Sequence, residues 1–186
     1  MTAWWTPVWT PRAVEPYPPE PESPAQDFEY DEWTAVVYQT ADWTCSCASS
    51  AWLLNSIGDG RLGRPWNEWD VVDALRSATY YGAVTPEYGL ARADMYDLET
   101  MFNSLGYQVL RRQYLGPQDI YAWAGQYPLQ INGARLYHHM GARTLGPGVI
   151  YLANPAPSWH GIQQELSADE AAYWGSWNGM IVVGRL

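Results

Sequence analysis

Partway along this chain the spacing of apolar residues changes period, and that change decides what it can fold into. Up to about residue 124 the apolar positions recur at helical intervals. Residues 44–57 place Ala48, Ala51, Trp52 and Leu54 on one stripe that ends at Gly58. Residues 65–78 space Trp66, Trp69, Val72 and Leu75 for one face, and residues 93–105 do the same with Met95, Leu98, Met101, Phe102 and Leu105 before Gly106. A short helix over 117–124 follows. Beyond it the apolar runs shorten. Residues 128–131, 137–143, 149–154 and 180–183 read as strands divided by Gly and Pro turns such as Leu145-Gly146-Pro147-Gly148. Ser167-Ala168-Asp169-Glu170 has the capping-box pattern and predicts a short helix. Helices first and strands afterwards predict an α+β fold, a helical half packed on an antiparallel sheet.

Residues 1–30 stand apart. Prolines every few residues block helix and sheet and favour an extended arm, while residues 31–186 read as the globular domain. Trp4, Trp5 and Trp9 are unusual in a free linker, so the arm is expected to dock on its own domain or on a protein partner. The chain carries twelve Trp and fourteen Tyr, most of them expected in the core. Its formal net charge is −10 and all ten cations are arginines, which argues against nucleic acid as a partner. No apolar run approaches the roughly 18 residues of a membrane span, and the Met1-to-Arg12 stretch lacks the pattern of a signal peptide. A cytoplasmic or virion-associated protein is expected, with no cofactor and no metal.

Cys45 and Cys47 are the only cysteines. Alternate positions make a disulfide between them geometrically awkward, and a C-x-C pair without a second pair makes a weak zinc site. Cys45 falls at the predicted start of a helix, where free N–H groups and the helix dipole lower a thiol's pKa and can donate to an oxyanion. Gln39 lies six residues earlier on a loop able to fold back and offer its side-chain amide. Cys47 sits about 200° further round the helix and reads as buried packing.

Gln39, five intervening residues and Cys45 at a helix start resemble the papain-like cysteine peptidases, in particular the bacteriocin-processing, double-glycine leader peptidase branch. That resemblance implies that Gln39 contributes to the oxyanion hole and that Cys45 heads the central helix as nucleophile. Arg135-Leu136-Tyr137-His138-His139-Met140-Gly141-Ala142-Arg143 resembles the strand that opens with the family's histidine. Val149-Ile150-Tyr151-Leu152-Ala153-Asn154-Pro155 resembles the next strand, ending in Asp-Pro or Asn-Pro. The implied roles are base for His138 and orienting group for Asn154. The small and apolar residues after His138 alternate in step with it, and His139 is expected on the opposite face.

Val84 to Leu90, Ala124-Gly125 and the stretch from Ala153 to Trp174 are similar to phage-lysin-associated, actinobacterial and chloroflexal domains of this branch. Thr44-Cys45-Ser46 departs from the branch's Asp-Cys-Gly, and Asn154 from its usual Asp.

Two functions follow as expectations. One is a peptidase or amidase acting through Cys45, His138 and Asn154 on a peptide, either a cell-wall cross-link or a leader. The other is a catalytically silent module of the same fold, a virion or complex component anchored by its aromatic arm. A thiol or metal site on Cys45 and Cys47 is a third and poorer reading. His160 reads as an exposed loop residue, and Asp42 as a charge that disfavours a thiolate at Cys45.

Overall fold

A computed structural model describes residues 35–41, 44–79, 95–133, 138–146, 149–156, 164–167 and 177–186. The 1–30 arm, Asp42, His160 and most of the predicted helix at 167–170 lie outside them.

Four helices and six strands follow in the order α1 (Cys45–Ser56), α2 (Glu68–Ala78), α3 (Met95–Ser104), β1 (Tyr107–Leu115), α4 (Pro117–Ala124), β2 (Leu129–Gly133), β3 (His138–Gly146), β4 (Val149–Ala153), β5 (Gln164–Ser167) and β6 (Trp177–Arg185). The strands form one antiparallel sheet in the order β1-β6-β2-β3-β4-β5. β6 is therefore an interior strand. It pairs with β1 on one side and β2 on the other.

Alternation along the strands divides the core in two. Tyr107, Val109, Ala153, Met180 and Val182 face α1, α2 and α3. Leu115, Leu129, Ile131, Met140, Leu152 and Ile181 face the other way, onto Ile120 and Ala124 of α4. The helical half thus covers one face of the sheet, as expected, and α4 covers the other.

The predicted stripe on α1 understates its burial. Eleven of its twelve residues are buried, all but Asn55, so the helix is enclosed rather than laid on a surface. Its serines and alanines allow close approach on every side. Against β3 the approach is tightest: a Cβ on Gly141 would lie 2.3 Å from the Trp52 ring. Gly58 and Gly106 follow α1 and α3 with φ of +66° and +81°, a backbone that favours glycine and accounts for both helix ends.

Three elements differ from the sequence reading. β1 went unread because only Tyr107 and Val109 alternate cleanly with exposed neighbours; Arg111 to Tyr114 are partly or fully exposed on an edge strand. A register shift between Arg112 and Leu115, with Tyr114 at φ +60°, breaks the pattern further. Ser167, the expected helix start, is instead the last residue of β5. β6 runs over nine residues rather than the four expected.

Replacing Gly141 by Ala forces the Trp52 ring, and with it α1, off the sheet. Overpacking of this kind typically costs about 1–3 kcal/mol. A urea midpoint unchanged from the parent protein would show that the α1–β3 contact is looser than described.

Candidate active site

Cys45 is the first residue of α1, at the tip that faces the start of β3. It is 9% exposed, against 0% for Cys47. Burial pushes the Cys45 thiol above its ordinary value, while main-chain hydrogen bonds from His139, Ser46 and Cys45 itself pull the other way. The contact with His139 brings the sulfur against β3 at the residue next to His138.

His138 opens β3 opposite Gly133, and His139 sits opposite Asn132, so the two rings project to opposite faces. His138 Nε2 lies 2.9 Å from Asn154 Oδ1. The same oxygen accepts the Ala156 main-chain N–H at 3.0 Å, which identifies it as the carbonyl side of the amide. His138 must therefore carry its proton on Nε2, leaving Nδ1 as the acceptor of the neutral ring. Burial lowers the His138 pKa below its ordinary 6.5, against the raising effect of the Asn154 hydrogen bond. Both Cys45 and His138 are thus biased toward their uncharged forms.

Gln39 is buried and tied at both ends. Its N–H donates to the Pro155 carbonyl at 2.9 Å, one residue past Asn154. Its Nε2 donates to the Ala41 carbonyl at 3.0 Å, leaving one amide hydrogen uncommitted to that bond. The loop before α1 and the loop after β4 are therefore stitched together beside the Cys45 tip.

Two polar residues went unnoticed in the sequence. Gln130 on β2, wholly buried, accepts from Ser50 Oγ at 2.9 Å and donates from Nε2 to the Ser46 carbonyl at 3.1 Å. Its Nε2 is also 3.3 Å from His139 Nδ1. One amide thus joins the Cys45 helix to β2 and β3. A lone polar residue in the apolar run Leu129-Gln130-Ile131 is the signal that could have exposed it. Glu68 at the start of α2 is the second. It is 2% exposed and its carboxylate faces Thr40 and Thr44, just before Cys45. Local sequence gives no such signal, because an acidic residue in a helix's first turn is ordinary.

No group of three or more His, Cys, Asp or Glu side chains able to hold a metal is found among the described residues. Cys47 is further disqualified as a reactive thiol. Burial, then the negative Glu68, push its pKa far above the ordinary range.

Full burial pushes His139 down to about 3 from its ordinary 6.5. Between those values the unfolded chain takes up a proton that the folded protein refuses, so stability is complete above about pH 6.5 and declines as pH falls toward 3. His139→Gln should flatten the decline by about 1 kcal/mol per pH unit between pH 6 and 4. Parallel urea titrations of parent and variant read this directly, and identical slopes would mean that His139 protonates in the fold.

No family model and no curated protein matches the chain. Solved structures do. One is a double glycine motif protease from an AMS/PCAT transporter in complex with its leader peptide, at TM-score 0.59 and 13% identity, covering 80% of this chain and 90% of that one. Another is the peptidase domain of Streptococcus ComA, a bifunctional ABC transporter involved in a quorum-sensing pathway, at TM-score 0.58 and 13% identity, covering 82% and 99%. The fold is that of these papain-like peptidase domains: α+β, with the Cys45 helix of the N-terminal helical half packed on the antiparallel sheet. No helix among the described residues is long and apolar enough to cross a membrane.

Proposed function

We propose that this chain is a cysteine peptidase that cleaves a peptide through Cys45, His138 and Asn154, with Gln39 and the Cys45 main-chain N–H receiving the oxyanion. The observation that carries the reading is the polarised His138–Asn154 pair, whose free Nδ1 belongs to the residue beside the main-chain N–H that contacts the Cys45 sulfur. The fold it shares with a leader-bound protease supports a peptide as substrate.

Because burial disfavours charge on both groups, the resting pair is thiol and imidazole rather than thiolate and imidazolium. As sulfur attacks the scissile carbonyl, its proton passes to His138 Nδ1. The imidazolium so formed is held by the Nε2–H bond to Asn154 Oδ1, which plays the part of the third member of a triad. His138 then gives the proton to the leaving amine, and water hydrolyses the acyl-enzyme by the same path in reverse. Gln39 has an amide hydrogen to spare for the oxyanion, and Cys45 is at a helix N-terminus where main-chain N–H groups lack intrahelical partners.

Peptides with Gly-Gly before the scissile bond, assayed beside cross-linked muropeptides, separate a leader substrate from a cell-wall one. Cys45→Ala should abolish turnover and His138→Ala should lower kcat by about 10²- to 10⁴-fold. Iodoacetamide should modify Cys45 and spare Cys47 in the folded protein. Wild-type protein in which Cys45 stays unmodified would favour the silent-module reading instead.

The pH profile tests the pair independently. Activity needs neutral His138, so the acid limb of kcat/KM should fall below 6.5. Asn154→Ala removes the bond that raises the His138 pKa and should move the limb lower still, whereas Asn154→Asp should move it upward. A limb that ignores both substitutions would separate Asn154 from the base.

A further inference from the structure

Glu68 is a buried carboxylate that the mechanism above leaves unused. Both of its oxygens accept the Thr40 main-chain N–H at 2.9 Å. Thr40 Oγ1 donates to Glu68 Oε1 as well. Thr44 Oγ1 lies 2.7 Å from Glu68 Oε2 and 2.8 Å from the Ala41 carbonyl, and its single proton serves one of them at a time. The Ala41 carbonyl in turn receives Gln39 Nε2 at 3.0 Å. A chain of contacts therefore runs from Glu68 through Thr44 and Ala41 to the Gln39 amide, and its second anchor, Thr40, adjoins Gln39 directly.

Position in the fold makes this more than a loop contact. Glu68 is the first residue of α2, whose start is fixed by a capping box between Asn67 and Asp70. The helix N-terminus favours its negative charge, and α2 packs on α1. Thr44 is the N-cap residue of α1, yet its hydroxyl makes no capping bond because it is turned to Glu68 and Ala41. Thr and Ser at this position normally accept from the helix's own N–H groups. Here that stabilisation is forgone, and the N–H groups around Cys45 are left without the cap.

The geometry points to Glu68 as a positioning residue: through Thr40 and Thr44 it holds Gln39 so that its amide N–H is presented to the oxyanion beside the uncapped α1 tip. The inference rests on the peptidase reading and deepens it. Glu68 touches neither the sulfur nor the imidazole, so it acts on transition-state stabilisation and leaves the nucleophile and base alone.

That division gives the test. In Glu68→Gln the shape is kept but one acceptor oxygen becomes a donor facing the threonine N–H and hydroxyl groups. With a fluorogenic Gly-Gly-aminomethylcoumarin peptide, kcat should fall about 10- to 100-fold and KM by less than about threefold. Iodoacetamide alkylation of Cys45, which forms no oxyanion, should stay within about twofold of the parent rate. Glu68→Gln added to Gln39→Ala should cost little beyond Gln39→Ala alone. Thr44→Val, which breaks the same chain while preserving side-chain shape, should reproduce the pattern and carries the test if Glu68→Gln does not fold. An unchanged kcat, alkylation that falls in step with hydrolysis, or losses that multiply with Gln39→Ala would each overturn the clamp alone. Wild-type protein inert toward both probes would overturn the peptidase reading and the clamp with it.

Discussion

A helix enclosed on every side fixes the rest of this molecule. α1 has no solvent face along which to slide or rotate, since α2 lies on one flank and β2 and β3 on another. The Trp52 ring over Gly141 sets its distance from the sheet, and Gln130 sets its register by holding both Ser46 and Ser50. An amide with no water to exchange for its partners is costly to leave unpaired, so this is a specific contact rather than a merely tolerated one. Once α1 is fixed, so is its tip. The position of Cys45 follows from the packing of a whole helix, and the local preferences of Thr44-Cys45-Ser46 contribute little.

The opposite end of the proposed site is held by main chain. His138 is placed by the pairing of β2 with β3, and Asn154 by the end of β4 beside it. The Gln39 N–H then crosses to the Pro155 carbonyl and joins the helical half to the sheet half at this point. Residues 39–41 and 44–45, Glu68, 138–139 and 154–156 thus meet through hydrogen bonds of both backbone and side-chain groups.

Much of this was legible in residue spacing. The ends of α1 and α3 were marked by Gly58 and Gly106, both with positive φ, and Pro117 marked the start of α4. Short apolar runs located β2, β3 and β4 to within a few residues, and period-two alternation separated His138 from His139. β1 escaped because an edge strand facing solvent at Arg111 to Tyr114 has no apolar alternation to read, and its bulge removes what remains. Glu68 escaped for a different reason. Its partners are 24 and 28 residues away, and a carboxylate in a helix's first turn gives no hint that it is buried. Periodicity reports which face of an element is apolar; it carries no record of a polar contact made between elements.

The two cysteines show how the same chemistry is divided within one turn of helix. Cys47 is held as a thiol by burial first and by the negative Glu68 second, and it has no base within the arrangement described. Cys45 is also biased toward the thiol by burial, yet three main-chain N–H contacts oppose that bias. Glu68 therefore serves two ends at once: its charge suppresses ionisation at Cys47, while its oxygens are consumed by Thr40 and Thr44. A carboxylate aimed instead at the α1 tip would have opposed the thiolate at Cys45 and competed for the oxyanion's donors. Its oxygens are turned instead toward Thr40 and Thr44, upstream of Cys45, and the α1 N-terminus keeps its own N–H groups. The difference between the two thiols thus begins with burial, and Glu68 adds to it at Cys47.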